Sequence, residues 1–143
     1  MPAGRAWTAG GAALIAAATL ALTGCASFGA AGDSDTLEAS EQAAADLQDE
    51  LAGMPGVTTA FVGYQDDLTE QAHLRVNVEV AEAAQVETTF PEVEEAAWLC
   101  EVDPLLTMKV TVVPVSGSGT SQDYDLQDQQ TVDDLTERWG ERP

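Results

Sequence analysis

The most regular pattern in the chain is the alternation of apolar and polar residues over positions 72–80. The apolar residues are Leu74, Val76, Val78 and Val80, and the polar residues between them are His73, Arg75, Asn77 and Glu79. A period of two predicts a β-strand with one buried and one open face. The same pattern over 105–115 predicts another strand, in which Lys109 lies on the open face. A third strand is predicted over 57–64, directly before a short polar segment.

Helical spacing of apolar residues alternates with these strands. Leu37, Ala44, Leu47 and Leu51 recur at helical spacing over 36–52, and Asp35 with Glu38 forms a capping-box pattern at the start of this segment. A second helix is predicted between about 81 and 101, with Thr89 and Glu92 as its capping box. Its acidic residues Glu92, Glu94, Glu95 and Glu101 are expected on its exposed side. A short third helix is expected to begin at Thr131.

The order of these elements predicts an α+β fold. Helix, strand, strand, helix and strand make a two-layer sandwich, with two helices on one face of a three-stranded mixed sheet and a short C-terminal helix added. The short loop after the first strand predicts an antiparallel hairpin, and the helical crossover predicts a parallel neighbour. We therefore expect a domain over 35–115, an acidic linker containing Gly and Ser over 116–130, and a C-terminal helix and tail over 131–143.

The N-terminal segment has a different character. Arg5 precedes an alanine-rich apolar run that ends in Leu22, Thr23, Gly24 and Cys25, and this run is too short to cross a bilayer. The four residues resemble the lipobox of bacterial lipoprotein precursors. The resemblance implies a signal peptide over 1–24, cleavage between Gly24 and Cys25, and lipid attachment to the Cys25 sulfur. It also implies a tether over 25–34 and a lipid-anchored location on the extracytoplasmic face of the cell membrane.

The charge of the chain narrows the choice of partners. It carries 25 acidic residues against five Lys and Arg, a formal net charge of −20. Removal of 1–24, whose only charged residue is Arg5, would leave −21. Such a charge disfavours nucleic acid as a partner and also direct adsorption to an anionic membrane surface. We therefore expect the protein to contact the membrane through its lipid anchor and to bind an envelope protein.

The segment Met54-Pro55-Gly56-Val57 follows an amphipathic helix and precedes the strand pair. In this it looks like the middle of ferredoxin-like domains, including heavy-metal-associated domains, although the metal-binding Cys-x-x-Cys of the latter is absent. The element order also resembles the αββαβ modules of periplasmic and envelope proteins. Taken as a whole, the chain resembles small lipoproteins of high-GC Gram-positive bacteria.

Few residues suggest chemistry. Asp123, Asp125 and Asp128 resemble the start of a calcium-binding loop, but Gln127 and Asp128 occupy the positions where such a loop needs an oxygen ligand and a glycine. We therefore expect no metal and no cofactor. With Cys25 acylated, Cys100 is expected to be a small buried residue, with an intermolecular disulfide as the alternative.

The open face of the sheet is the remaining candidate site. His73, Arg75 and Lys109 gather there in an otherwise acidic protein, either as cations neutralised by Glu79 and other carboxylates or as a docking face for an anionic or extended partner. The sequence thus favours a non-enzymatic binding or structural module of the cell envelope. An accessory or regulatory subunit of a membrane complex is the alternative, and a small carboxylate-based enzyme is the third and least favoured.

Overall fold

The computed structural model describes residues 31–67 and 69–143, with side chains from Ser34 onward. The proposed signal peptide and the Leu22–Cys25 lipobox lie outside the described residues. Within the described part the elements are α1 (Ala31–Ala52), β1 (Val57–Gln65), β2 (His73–Val80), a 3₁₀ turn (Ala83–Gln85), α2 (Val86–Leu99), β3 (Thr107–Pro114), β4 (Thr120–Asp125) and α3 (Gln129–Trp139).

The strands form one mixed sheet in the order β1-β2-β3-β4. β1 and β2 form the antiparallel hairpin expected from the sequence, and β2 pairs with β3 in parallel as expected from the helical crossover. The prediction of three strands is wrong by one, because β4 pairs antiparallel with β3. β4 lies inside 116–130, the segment expected to be a linker, and the glycine-containing loop before it closes a second hairpin.

One face of the sheet forms the core, as strand parity predicts. Seven inward-pointing side chains of β2 and β3 are at most 1% exposed: Leu74, Val76, Val78, Val80, Met108, Val110 and Val112. Leu47 and Leu51 of α1 and Val93, Ala97 and Trp98 of α2 are buried in the same cluster. The structure is therefore α+β, with three helices in the described residues and a four-stranded mixed sheet.

The ends of the helices differ from the predicted ones. α1 begins at Ala31, inside the segment 25–34 that was expected to be a tether. The capping box that precedes α2 is formed by Glu82 and Gln85, around the 3₁₀ turn, and not by Thr89 and Glu92. Because that turn starts the helical path early, Pro91 lies inside α2.

α3 is likewise capped earlier than expected. The Asp128 side chain accepts a hydrogen bond from the Thr131 backbone N–H, so Asp128 is the N-cap and Thr131 is already helical. Over 31–67 and 69–143, no helix combines the length and the apolarity needed to cross a membrane.

Candidate functional site

The open face of the sheet holds the three basic residues singled out by the sequence. Across the strands, Gly63 of β1 is paired with Arg75, Arg75 with Lys109, and Lys109 with Asp123 of β4. His73 lies in the adjacent row, two residues along β2. Because side chains alternate along a strand, these residues point away from the core that Leu74 and its neighbours form.

Arg75 is the exposed cation of this face. Lys109 Nζ lies 3.2 Å from Asp123 Oδ1 and forms an ion pair. In the described part of the chain, Arg75 has no carboxylate within 4 Å. Glu79, the expected neutralising residue, accepts a hydrogen bond from the Thr58 hydroxyl at 2.9 Å. The guanidinium of Arg75 thus keeps its donors available to solvent or to a ligand.

His73 is more enclosed than an ordinary surface histidine. Its Nδ1 lies 2.7 Å from the Thr107 hydroxyl oxygen, a hydrogen bond in which the donor depends on the tautomer. Burial lowers the pKa of His73 below its usual 6.5, and the nearby positive charge of Arg75 lowers it further. The ring is therefore predominantly neutral at neutral pH. It lines a shallow cavity of about 330 Å³ together with Glu70, Gln71, Arg75 and Thr107.

Apolar side chains extend the open face beyond the basic row, on the side away from His73. Phe61 is 55% exposed, and its ring lies close to Gly63: a Cβ placed on that glycine would be 3.3 Å from Phe61 Cε1. Val113 and Val115 are the other large hydrophobic residues exposed in the described structure. Exposed aromatic and aliphatic groups beside an arginine are typical of protein-binding surfaces.

A second polar cluster lies on the helical side, and the sequence did not reveal it. Glu94 of α2 was expected on the exposed side of its helix but is 2% exposed. Arg138 Nη1 donates to both Glu94 carboxylate oxygens at 3.0 and 2.9 Å, Trp139 Nε1 donates at 3.0 Å, and the Tyr124 hydroxyl also donates. This cluster joins α2, β4 and α3, and we call it the Glu94 cluster.

Burial and the neighbouring carboxylate raise the pKa of Tyr124 above its usual range, so its hydroxyl remains a donor. The partners of Glu94 lie 30 to 45 positions away in the chain. No local sequence pattern predicts these contacts. The one indication was the pair Arg138-Trp139 at the end of an amphipathic helix.

Arg142 holds the C-terminal tail against the end of α2. Its guanidinium donates to the backbone carbonyls of Trp98, Cys100 and Val102 at distances between 2.6 and 3.1 Å, and lies 5.6 Å from the Trp98 ring centroid. Trp98 Nε1 donates in turn to the Gly140 carbonyl at 2.8 Å. The last residues therefore pack on the domain and do not form a free tail.

The other residues that the sequence singled out as candidates for chemistry have ordinary places in the fold. Asp123 and Asp125 lie on β4 while Asp128 caps α3, so the three do not surround one point. Cys100 is buried, its thiol donates to the Ala43 carbonyl at 3.5 Å, and burial raises its pKa. The described residues contain no group of three or more His, Cys, Asp or Glu side chains placed to hold a metal ion.

A groove of about 430 Å³ between α1 and α2 gives the helical side its acidic character. Its apolar floor is surrounded by five carboxylates, from Asp46, Glu50, Glu92, Glu95 and Glu101. The molecule is therefore asymmetric: acidic on its helices, and nearly balanced in charge across the open face of its sheet.

No family model, no curated protein and no solved structure matches the chain. The function must therefore be argued from the site itself. The open face can form charge-assisted hydrogen bonds through Arg75 and apolar contacts through Phe61 and Val113.

Proposed function

We propose that this protein is a membrane-anchored extracytoplasmic lipoprotein, and that it acts as a non-enzymatic binding module of the cell envelope. The lipobox Leu22–Cys25 supports the anchor. Because α1 begins at Ala31, the path from Cys25 to the helix is six residue steps, at most about 20 Å when fully extended. The folded domain would thus stay close to the membrane surface.

The proposed binding role rests on Arg75, the exposed cation of the open face. Of the four cations in the described part, Lys109 and Arg138 pair with carboxylates and Arg142 binds backbone carbonyls. Arg75 is exposed and lacks such a partner, although the chain has 25 acidic residues. An arginine left available in so acidic a protein favours recognition of an anionic group, which its planar fork can bind through two hydrogen bonds.

The asymmetry of charge favours the same face. A partner with an exposed carboxylate is repelled by the acidic helices and attracted only near Arg75, so long-range electrostatics would orient it towards the open face of the sheet. Phe61 and Val113 would then supply apolar contact area. The proposed partner is an envelope protein with an acidic segment, and the contact is a docking contact without chemistry.

Photo-crosslinking in intact cells tests this proposal. A photoreactive residue at Val113 reports on the open face, and the same residue at Glu95 reports on the helical side. We expect a specific crosslinked product from position 113 only. Arg75→Glu should abolish it, whereas Glu92→Arg, a charge reversal of equal size on the helical side, should leave it intact. Equal products from both positions, or a product that survives Arg75→Glu, would contradict the docking role.

A further inference from the structure

His73 and Arg75 line the same shallow cavity on the open face of the sheet. They are two residues apart on β2 and point to the same side, so their Cα atoms are about 7 Å apart. Glu70, Gln71 and Thr107 complete the lining of this cavity. One carboxylate group can bridge such a separation by accepting a hydrogen bond from each side. The two basic side chains can therefore act on a single anionic group.

The Thr107 hydroxyl determines which imidazole nitrogen is left for a ligand. Its oxygen lies 2.7 Å from His73 Nδ1, whereas Nε2 makes no hydrogen bond to the described residues. In that part of the chain, no unbonded side-chain nitrogen of a partly buried residue is itself buried, so Nε2 is accessible. Both nitrogens carry a proton when the ring is charged. Nε2 can then donate to an anionic group while Nδ1 donates to the threonine.

The charges around the imidazole ring oppose one another. Burial lowers the pKa of His73, and the positive charges of Arg75 and Lys109 lower it further, whereas the carboxylates of Glu70 and Asp123 raise it. Lys109 and Asp123 are paired with each other, which leaves Arg75 and Glu70 as the unpaired charges of the cavity. An additional carboxylate brought to Arg75 favours the charged form of the ring. By linkage, a charged ring favours binding of that carboxylate to the same extent.

Other charged groups of the open face do not replace such a ligand. Asp125 lies on β4, two strands from His73 and in the same row of the sheet. Its side chain accepts a hydrogen bond from the Gln127 backbone N–H at 3.0 Å. β1 contributes Gln65, an uncharged residue, to this row.

We propose that His73 is the second recognition residue of the open face. A side-chain carboxylate of the acidic partner would lie in the cavity and accept hydrogen bonds from Arg75 and from Nε2 of protonated His73. Binding would then tighten as the pH falls towards and below 6.5, because it favours protonation of the ring. The carboxylates of the partner stay mainly ionised above about pH 5, so this pH dependence belongs to the histidine. The inference rests on the docking role proposed for Arg75 and adds a second residue to it.

NMR titration of His73 tests this inference, because the chain has only one histidine. The full chain, with isotope-labelled histidine, is purified from membranes in detergent. The probe is tetraglutamate blocked at both ends, added at constant ionic strength to about 20 mM, well above a millimolar Kd. We expect it to raise the pKa of His73 by at least about 0.5, which corresponds to about threefold tighter binding to the charged ring. Tetraglutamine, which has no charge, should leave the pKa unchanged.

Three variants separate the proposed site from a general effect of charge. Arg75→Gln should abolish the shift that the peptide causes. Lys109→Gln removes a cation that is already paired with Asp123, so the shift should persist. Glu70→Gln should enlarge the shift, because a carboxylate at the cavity no longer repels the peptide.

Two results would overturn the role of His73. One is a pKa that tetraglutamate leaves unchanged in the wild type, and the other is a shift of equal size in Arg75→Gln. The docking role itself is judged by the crosslink from position 113, which does not depend on the histidine. An unchanged pKa beside an Arg75-dependent crosslink would remove only the role of His73. Loss of that crosslink in the wild type would remove the docking role and this inference with it.

Discussion

Basic side chains have two contrasting roles in this acidic protein. Arg138 and Arg142 are used internally: one compensates the buried charge of Glu94, and the other caps the carbonyls at the end of α2. Arg75 and Lys109 lie on the open face. Strand parity alone was enough to place Arg75, Lys109 and His73 there, because period-two patterns fix which residues share a face. That Lys109 is paired and Arg75 is not could not be predicted, since the pairing depends on β4.

His73 makes one residue-scale prediction about pH. Its pKa is lowered in the folded protein, mainly by burial, so between that value and 6.5 the unfolded chain binds more protons than the folded one. Stability should therefore fall as the pH drops below about 6.5, and this contribution should level off below the folded pKa. Glu70, Arg75, Lys109 and Asp123 also act on the ring electrostatically, and they remain in a His73→Gln variant.

Melting of the wild type and of His73→Gln at several pH values between 5 and 8 measures this contribution. The variant removes the titration of His73 but keeps the carboxylates, whose effects cancel in the comparison. We expect the wild type to lose stability relative to the variant as the pH falls. A difference that stays constant, or that changes in favour of the wild type at low pH, would show that the histidine is not enclosed as described.

At the scale of elements, the sequence predicted best those strands in which apolar and polar residues alternate most clearly. β2 and β3 bury every second side chain and β1 buries Val62 and Tyr64, and the sequence located all three strands within a few residues. β4 does not: only Tyr124 and Leu126 of its region pack against the core, and its polar residues resemble a linker. The range predicted for the second helix, about 81 to 101, includes the 3₁₀ turn and α2, but its capping box is formed by Glu82 and Gln85 and not by the predicted Thr89 and Glu92.

The Glu94 cluster yields an element-scale prediction, because it fastens α3 and β4 to α2. Glu94→Ala leaves the Trp139 and Tyr124 donors buried without their acceptor, which typically costs about 1–3 kcal/mol. We expect a loss of stability in this range and faster hydrogen exchange in α3 than in β2. Glu95→Ala, an exposed neighbour on the same helix, should change stability by no more than about 0.5 kcal/mol. If both variants unfold like the wild type, the carboxylate does not hold α3 in place.

At the scale of the whole molecule, the fold separates two kinds of surface. The acidic residues concentrate on the helices and loops, while the open face of the sheet carries charges of both signs. Composition predicted the acidic character but not its distribution, because the distribution depends on which elements cover the core. In the proposed function, a short path from Cys25 would hold the domain near the membrane, with its open face available to a partner.

Mass spectrometry of the mature N-terminus tests the central claim most directly. The protein is purified from the membranes of its native host, and its N-terminal peptide is analysed intact. The account predicts a chain that lacks residues 1–24 and begins at Cys25 with a diacylglyceryl group on the sulfur. A chain that retains 1–24, or one that begins elsewhere with an unmodified Cys25 thiol, would contradict the lipoprotein assignment.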